Sequence, residues 1–344
     1  MTKNKQKTKV ENKKVKASSL LLSALILITF SQVYAQEPII KIDGSSTVYP
    51  ITEGVAEEFQ KMKKGAVRVT VGISGTGGGF KKFCRGETDI SNASRPILKQ
   101  EIEACKQAGI EYIELPVAYD GLSVVLNPKN DWAKCLTVEQ LREVWKPESQ
   151  GKKFLWSDLD PSWPKEEIKI CGAGSDSGTF DYFTEAIVGK AKASRGDYTA
   201  SEDDNVLVQF AAREKGALCY FGLAYAEENK GKVKTVPIKN PKTGQCVSPS
   251  YQTVQDGSYQ PLSRPLFIYV NAKSAERPEV KEFVEFYIKN AGKIAKQVKY
   301  IALPDKAYEL VNERWKKRQT GSVFGGEPET GVTIDDLLKR ETKK

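Results

Sequence analysis

The chain has 344 residues, 53 Lys+Arg, 44 Asp+Glu, 40% hydrophobic residues and no histidine. Length and mix suit a globular protein of two ordinary domains. The missing histidine excludes a Ser-His-Asp triad, a histidine base and any histidine-ligated metal.

The first 17 residues hold seven lysines and one glutamate, and an apolar run over 20–30 leads to Val33-Tyr34-Ala35. A basic stretch, a short apolar stretch and small residues make a secretory signal, too short for a stable bilayer anchor. We place its cut after Ala35, so 1–35 is signal peptide. The rest carries 46 basic and 43 acidic residues, so the basic balance gives no argument for a nucleic-acid partner. No cysteine follows the apolar run, and we expect a soluble periplasmic protein without a lipid anchor. Cys84, Cys105, Cys135, Cys171, Cys219 and Cys246 form no C-x-x-C pair, which argues for disulfides over a metal site in an exported chain. Fifteen full pairings exist. We expect the sequential one: Cys84–Cys105, Cys135–Cys171 and Cys219–Cys246.

In chain order, a strand is predicted over 39–42, a helix over 51–62 and an alternating strand over 67–73. A glycine-rich turn over 75–79 opens a helix toward Arg85. Then come a strand over 89–93, a helix over 99–108 and two strands, 112–117 and 122–126. From about Asn127 the pattern repeats: a capped helix after Thr137, a strand over 168–171, a small-residue turn over 172–179 and a helix over 180–187. Strands follow over 217–220 and 233–238, a polar surface loop over 240–259 and a strand over 266–270. Helices over 278–290 and 307–318 precede a loose tail beyond Gly321. Alternating strands and helices argue an α/β fold with largely parallel sheets.

The chemistry gathers in four turns at strand ends. They are Gly44-Ser45-Ser46-Thr47-Val48-Tyr49-Pro50, Gly72-Ile73-Ser74-Gly75-Thr76-Gly77-Gly78-Gly79, Ser91-Asn92-Ala93-Ser94-Arg95-Pro96 and Gly172-Ala173-Gly174-Ser175-Asp176-Ser177-Gly178-Thr179-Phe180. A helix start presents free N–H groups, glycine lets backbone approach a ligand, and hydroxyls add neutral donors. Together they suit a small oxyanion beyond the carboxyl ends of strands. Taken singly, each Ser or Thr is an ordinary helix cap, and neither a dinucleotide fingerprint nor a Walker lysine occurs.

These turns, with Tyr119-Asp120-Gly121-Leu122 and Ile301-Ala302-Leu303-Pro304, resemble the periplasmic phosphate-binding protein of the high-affinity ABC phosphate transporter, over residues 39–324. The resemblance implies a two-lobed type II periplasmic-binding-protein fold with a hinge and an interlobe cleft. Lobe I would be 36–126 plus 264–344, and lobe II 127–263. It implies a monomeric, non-enzymatic receptor with no cofactor and no metal, whose partners are inorganic phosphate and the ABC permease subunits of the inner membrane. Ser177, Gly178 and Thr179 would donate hydroxyl and amide hydrogens from lobe II. Ser45, Ser46 and Thr47 fill the first turn, and Ser74, Gly75 and Thr76 are candidates in the second.

Two places depart from the family. Its arginine four residues before the Ser-Gly-Thr serine is Ala173 here, and its third-turn aspartate, which accepts the proton of hydrogen phosphate, is Ser94 followed by Arg95. We read the cation as moved to Arg95, whose fork can hold two oxygens at once, unless Arg95 merely pairs with an acid across the hinge. Asp120 and Asp176 are the nearest acceptors left for the proton by which phosphate is told from sulfate. The alternatives are another tetrahedral oxyanion (sulfate, tungstate or molybdate) and an exported phosphatase-like hydrolase using Ser46 or Ser177. The hydrolase lacks a base, since the nearby S-x-x-K, Ser149 to Lys152, sits in a polar loop.

Overall fold

A computed structural model describes residues 37–175 and 177–326. The segment expected to be a signal peptide, Asp176 and the tail beyond 326 therefore lie outside the described residues, and the described strands and helices all belong to the unit that begins at Ile39. β1 (Ile39–Gly44) ends at a glycine for a steric reason: at φ +140° a Cβ would sit 2.2 Å from the Asn92 carbonyl oxygen. α1 (Tyr49–Met62) carries Pro50 in its first turn and buries Ile51, Val55, Ala56 and Phe59, one face at helical spacing. β2 (Arg68–Val71), α2 (Gly75–Phe83), β3 (Ile90–Ala93) and α3 (Lys99–Gln107) follow, so the glycines expected in a turn over 75–79 are already helical.

β4 (Tyr112–Leu126) is one buried 15-residue strand where two were expected. The strand runs unbroken through 118–121. Gly121 serves close packing, since a Cβ there would meet Val254 Cγ2 at 2.9 Å and Ile301 Cδ1 at 3.3 Å. Next come α4 (Val138–Trp145), held by a Thr137–Gln140 capping box, α5 (Trp156–Leu159) and β5 (Lys169–Ala173). α6 (Gly178–Phe183) runs into a π-helical turn, Thr184–Val188. After it come β6 (Thr199–Ser201), α7 (Asp204–Arg213), β7 (Ala217–Gly222), α8 (Leu223–Glu228) and β8 (Lys234–Thr235). The stretch expected to be a bare loop over 240–259 holds β10 (Cys246–Val247), paired with β9 (Ile238–Lys239), and α9 (Tyr251–Gln255). β11 (Ser263–Asn271), α10 (Pro278–Gln297) and α11 (Asp305–Lys316) complete the described chain.

The strands lie in the order β2-β1-β3-β11-β4-β7-β5-β6, with β8 also on β4. The two ends are parallel: β1 with β2 and β3, and β5 with β6 and β7. The middle is antiparallel, because β4 and β11 cross between the ends in opposite directions. The sheet is therefore mixed and curled, not largely parallel. Residues 112–121 of β4 pair with β11 on one side of the molecule, and residues 122–126 pair with β7 on the other.

Sheet neighbours also fix two of the three disulfides. Cys84–Cys105 forms as expected. The other two pairings were wrong: the bridges are Cys135–Cys246 and Cys171–Cys219. Cys171 and Cys219 face each other in the parallel β5–β7 register, and the Leu136–Ile238 bridge brings β10 beside Cys135. For these two bridges register across the sheet, rather than distance along the chain, decides which sulfurs meet.

Candidate functional site

The strand ends of β1, β3 and β5 deliver the turns to one place. In the first turn Ser45 Oγ accepts the Thr47 N–H at 3.2 Å, and both residues are buried. Thr47 Oγ1 donates to the Gly178 carbonyl at 3.3 Å, so the first turn touches the fourth. The contact is tight, since a Cβ on Gly178 would lie 2.6–2.7 Å from Thr47 Oγ1, Cα and N. Trp145 and Tyr220 hold the far side of α6, with Phe183 stacked on Tyr220 at 3.7 Å between ring centres. Each such ring contributes about 1.5–3 kcal/mol by burial, which fixes the helix from behind.

The second turn opens α2 with no acid in its first turn and no side-chain cap, which leaves its N–H groups to a ligand. Ser74 would be the cap, but its hydroxyl donates to Asp43 instead, and Lys82 Nζ pairs with the other oxygen of Asp43 at 2.6 Å. Ser74 therefore turns away from the cleft, while Gly75, Thr76 and Gly77 line it. Thr76 Oγ1 takes the Ser94 N–H at 3.1 Å and lies 3.0 Å from Ser94 Oγ, tying the second turn to the third.

Arg95 faces the same cavity, yet it is not free. Glu101 grips it with two bonds, at 2.9 and 2.8 Å, and its Nη1 also donates to the Pro96 carbonyl. The Glu101 carboxylate outweighs burial and keeps the guanidinium pKa above its ordinary value. Glu101 also takes the Leu98 N–H at the start of α3.

A second arginine completes the site. Arg264, on β11, is 8% exposed and lies flat against the Tyr182 ring at 3.5 Å. Its Nη2 donates to Thr47 Oγ1 at 3.0 Å, its Nε points at Asp120 Oδ2 at 3.4 Å, and Glu185 Oε2 lies 3.7 Å from its Nη1. Asp120 thus sits behind Arg264 as its counter-ion and does not line the cavity. Burial raises the Asp120 pKa against the pull of the guanidinium.

The resulting cavity is about 290 Å³, walled by Ser45, Ser46, Thr47, the second turn, Ser94, Arg95 and Arg264 on one side. Asp181, Glu185, Ala191 and Lys192 close the other. That volume is at the small end of ligand sites, which suits a few-atom anion. Ser177, Gly178 and Thr179 are not among the residues that line it: Gly178 meets Thr47, and Ser177 Oγ accepts the Thr179 N–H. Asp176 lies outside the described residues. Two larger grooves, about 640 and 880 Å³, lie elsewhere, and neither is lined by a residue of the four turns. Among the described residues no His/Cys/Asp/Glu group could hold a metal, and no helix is long and apolar enough to cross a membrane.

Sequence reading missed Arg264, Asp181, Glu185 and Lys192. A signal for the first existed: Ser263-Arg264-Pro265, on β11, repeats Ser94-Arg95-Pro96, in the turn after β3, and β3 and β11 are neighbours.

Three comparisons bear on this geometry. The PBP superfamily domain model matches residues 14–291. Protein SphX of Synechococcus elongatus is 49% identical over 315 residues, 92% of either chain. A protein named phosphate-binding protein PstS, from Staphylococcus saprophyticus, is 42% identical over 308 residues, 89% of this chain and 87% of its own. Among solved structures, a possible phosphate binding protein from Planctomyces limnophilus is 48% identical and superposes with a TM-score of 0.79, covering 82% of this chain and 99% of its own.

Proposed function

The chain belongs to the PBP superfamily, with the two-lobed type II fold of the phosphate-binding proteins, and on that premise we propose that it is a receptor for inorganic phosphate. It captures the anion in the interlobe cleft and delivers it to an ABC importer. The observation that carries this reading is the convergence of Thr47, Thr76, Ser94, the α2 N-terminus, Arg95 and Arg264 on one small cavity. Neutral donors from several elements wrap a tetrahedral ion, and Arg264 supplies a cation whose own counter-ion is held behind it. The low local dielectric strengthens each of these bonds once water is excluded.

We take 36–126 with 264–344 as one lobe and 127–263 as the other, with β4 and β11 as the crossing strands. Export by the signal over 1–35 would put the receptor, a monomer, in the periplasm, where its partner is the permease. Delivery then needs a permease that favours the open form. An enzymatic reading gains no support from the serines. Ser177 Oγ is engaged by a backbone N–H, and Ser149 Oγ donates to the Glu143 carbonyl at 2.6 Å from a buried position.

Equilibrium dialysis of the anion-stripped protein against radiolabelled phosphate tests the proposal. One equivalent bound per chain, displaced by unlabelled phosphate, is expected. No retention at micromolar phosphate would refute it.

A further inference from the structure

We propose that Asp43 is a positioning residue for this cleft: it holds the Ser74 hydroxyl off the start of α2 and so keeps that helix end open to the anion. The inference rests on the phosphate reading above and deepens it.

A serine before a helix ordinarily accepts the N–H of the second or third helical residue. Among the described residues Thr137, Ser177, Asp203 and Ser250 stand at helix starts, and each side chain accepts such a bond. Ser74 stands at the start of α2 and accepts none. Its Oγ donates instead to Asp43 Oδ1.

The N–H groups that a Ser74 cap would take belong to Thr76 and Gly77, and both residues line the cavity. A cap and an anion would therefore compete for the same donors. Distance does not decide the competition, because the hydroxyl lies against the helix: a Cβ on Gly78 would come 2.9 Å from Ser74 Oγ. Ser177 shows the opposite arrangement. It caps α6, and neither it nor Gly178 nor Thr179 lines the cavity.

Asp43 is itself firmly held. It is 9% exposed, near the end of β1, and Lys82 Nζ from the last turn of α2 pairs with its Oδ2 at 2.6 Å. Gly72 leaves room for the carboxylate, since a Cβ there would lie 2.4 Å from Oδ2. Asp43 does not line the cavity, and Lys82 offsets a negative charge that would otherwise stand close to an anion. A purely structural role, tying β1 to α2, predicts lost stability when Asp43 is removed. It predicts no gain in binding from then removing Ser74.

Calorimetric titration of phosphate into wild type, Ser74→Ala, Asp43→Ala and the double variant tests the assignment. Ser74→Ala should bind within about threefold of wild type, because its hydroxyl does not reach the ligand. Asp43→Ala frees Ser74 to cap α2, and we expect about tenfold weaker binding, the worth of one charge-assisted bond. The double variant has no hydroxyl left to cap the helix. Its binding should return to within about threefold of wild type while its melting temperature stays below that of wild type. Asp43→Ala that binds like wild type overturns the proposal, as does a double variant as weak as Asp43→Ala, or Ser74→Ala that is itself about tenfold weaker. Should Asp43→Ala not fold, amide hydrogen exchange in wild type decides. The Thr76 and Gly77 N–H groups should exchange freely without phosphate and at least about tenfold more slowly when it saturates the protein. Protection already present without phosphate would contradict an open helix start. Wild type that binds no phosphate would sink the phosphate reading and this inference together, whereas binding without rescue in the double variant sinks only the Asp43 assignment.

Discussion

Arg264 and Arg95 share the sequence Ser-Arg-Pro but stand in different electrostatic positions. Glu101 neutralises Arg95 through two bonds, whereas Arg264 reaches Thr47 directly and has Asp120 behind it. Arg264→Met should weaken phosphate by about 100-fold or more, since charge-assisted bonds are worth about 1.5–3 kcal/mol each. It should also cost about 3–5 kcal/mol of stability, because Asp120 is left buried without its counter-ion. Adding Asp120→Asn should restore most of that stability and none of the affinity, which separates the two roles by melting and titration. Arg95→Ala should lose about tenfold, one charge-assisted bond's worth, and an effect larger than that of Arg264→Met would reverse the ranking. At this scale the donor-rich turns were legible because hydroxyls and glycines at strand ends are local signals. The second arginine was not, because it lies within a buried strand, and only the antiparallel pairing of β11 with β3 brings it near the first.

Elements carry their own sensitivities. Arg195 is 5% exposed and anchors the loop before β6 to the end of α4, through the Val144 and Lys152 carbonyls and a two-bond pair with Asp197 at 2.6 and 2.8 Å. Bonds from Arg195 are the main reason the Asp197 pKa falls to about 2, against roughly 3.9 in an unfolded chain. Its stabilisation is therefore complete above about pH 4 and drains away as pH falls toward about 2. Asp197→Asn should lower stability at pH 7 by about 1–2 kcal/mol after allowance for solvent screening. The gap to wild type should narrow at pH 3; melts with a gap independent of pH would show that the pair's charge does not matter. Element existence was largely legible from periodicity. The breaks in reading fall where a glycine serves packing, as at Gly121, or where partners come from across the sheet, as for Cys171 with Cys219 and Cys135 with Cys246.

Over the whole molecule, the first and fourth turns close on each other through Thr47 and Gly178, while β4 and β11 cross behind them. Only glycine fits at 178 in this arrangement, because a Cβ would lie 2.7 Å from the Thr47 backbone. Gly178→Ala should therefore hold the two sides apart. We expect weaker phosphate binding by about tenfold or more and a larger radius of gyration by solution scattering in saturating phosphate. A variant as closed as wild type would show that this contact does not set closure. Fold class followed from the strand–helix alternation and the resemblance of the turns, but the antiparallel centre could not be read locally, since β4 and β11 lie more than a hundred residues apart in the chain. The central claim is that the cavity beneath these turns holds phosphate. A crystal structure grown with phosphate tests it most directly. We expect a single tetrahedral anion within hydrogen-bond reach of Thr47, Thr76, Ser94 and Arg264. An anion seated elsewhere, with that cavity filled only by water, would contradict it.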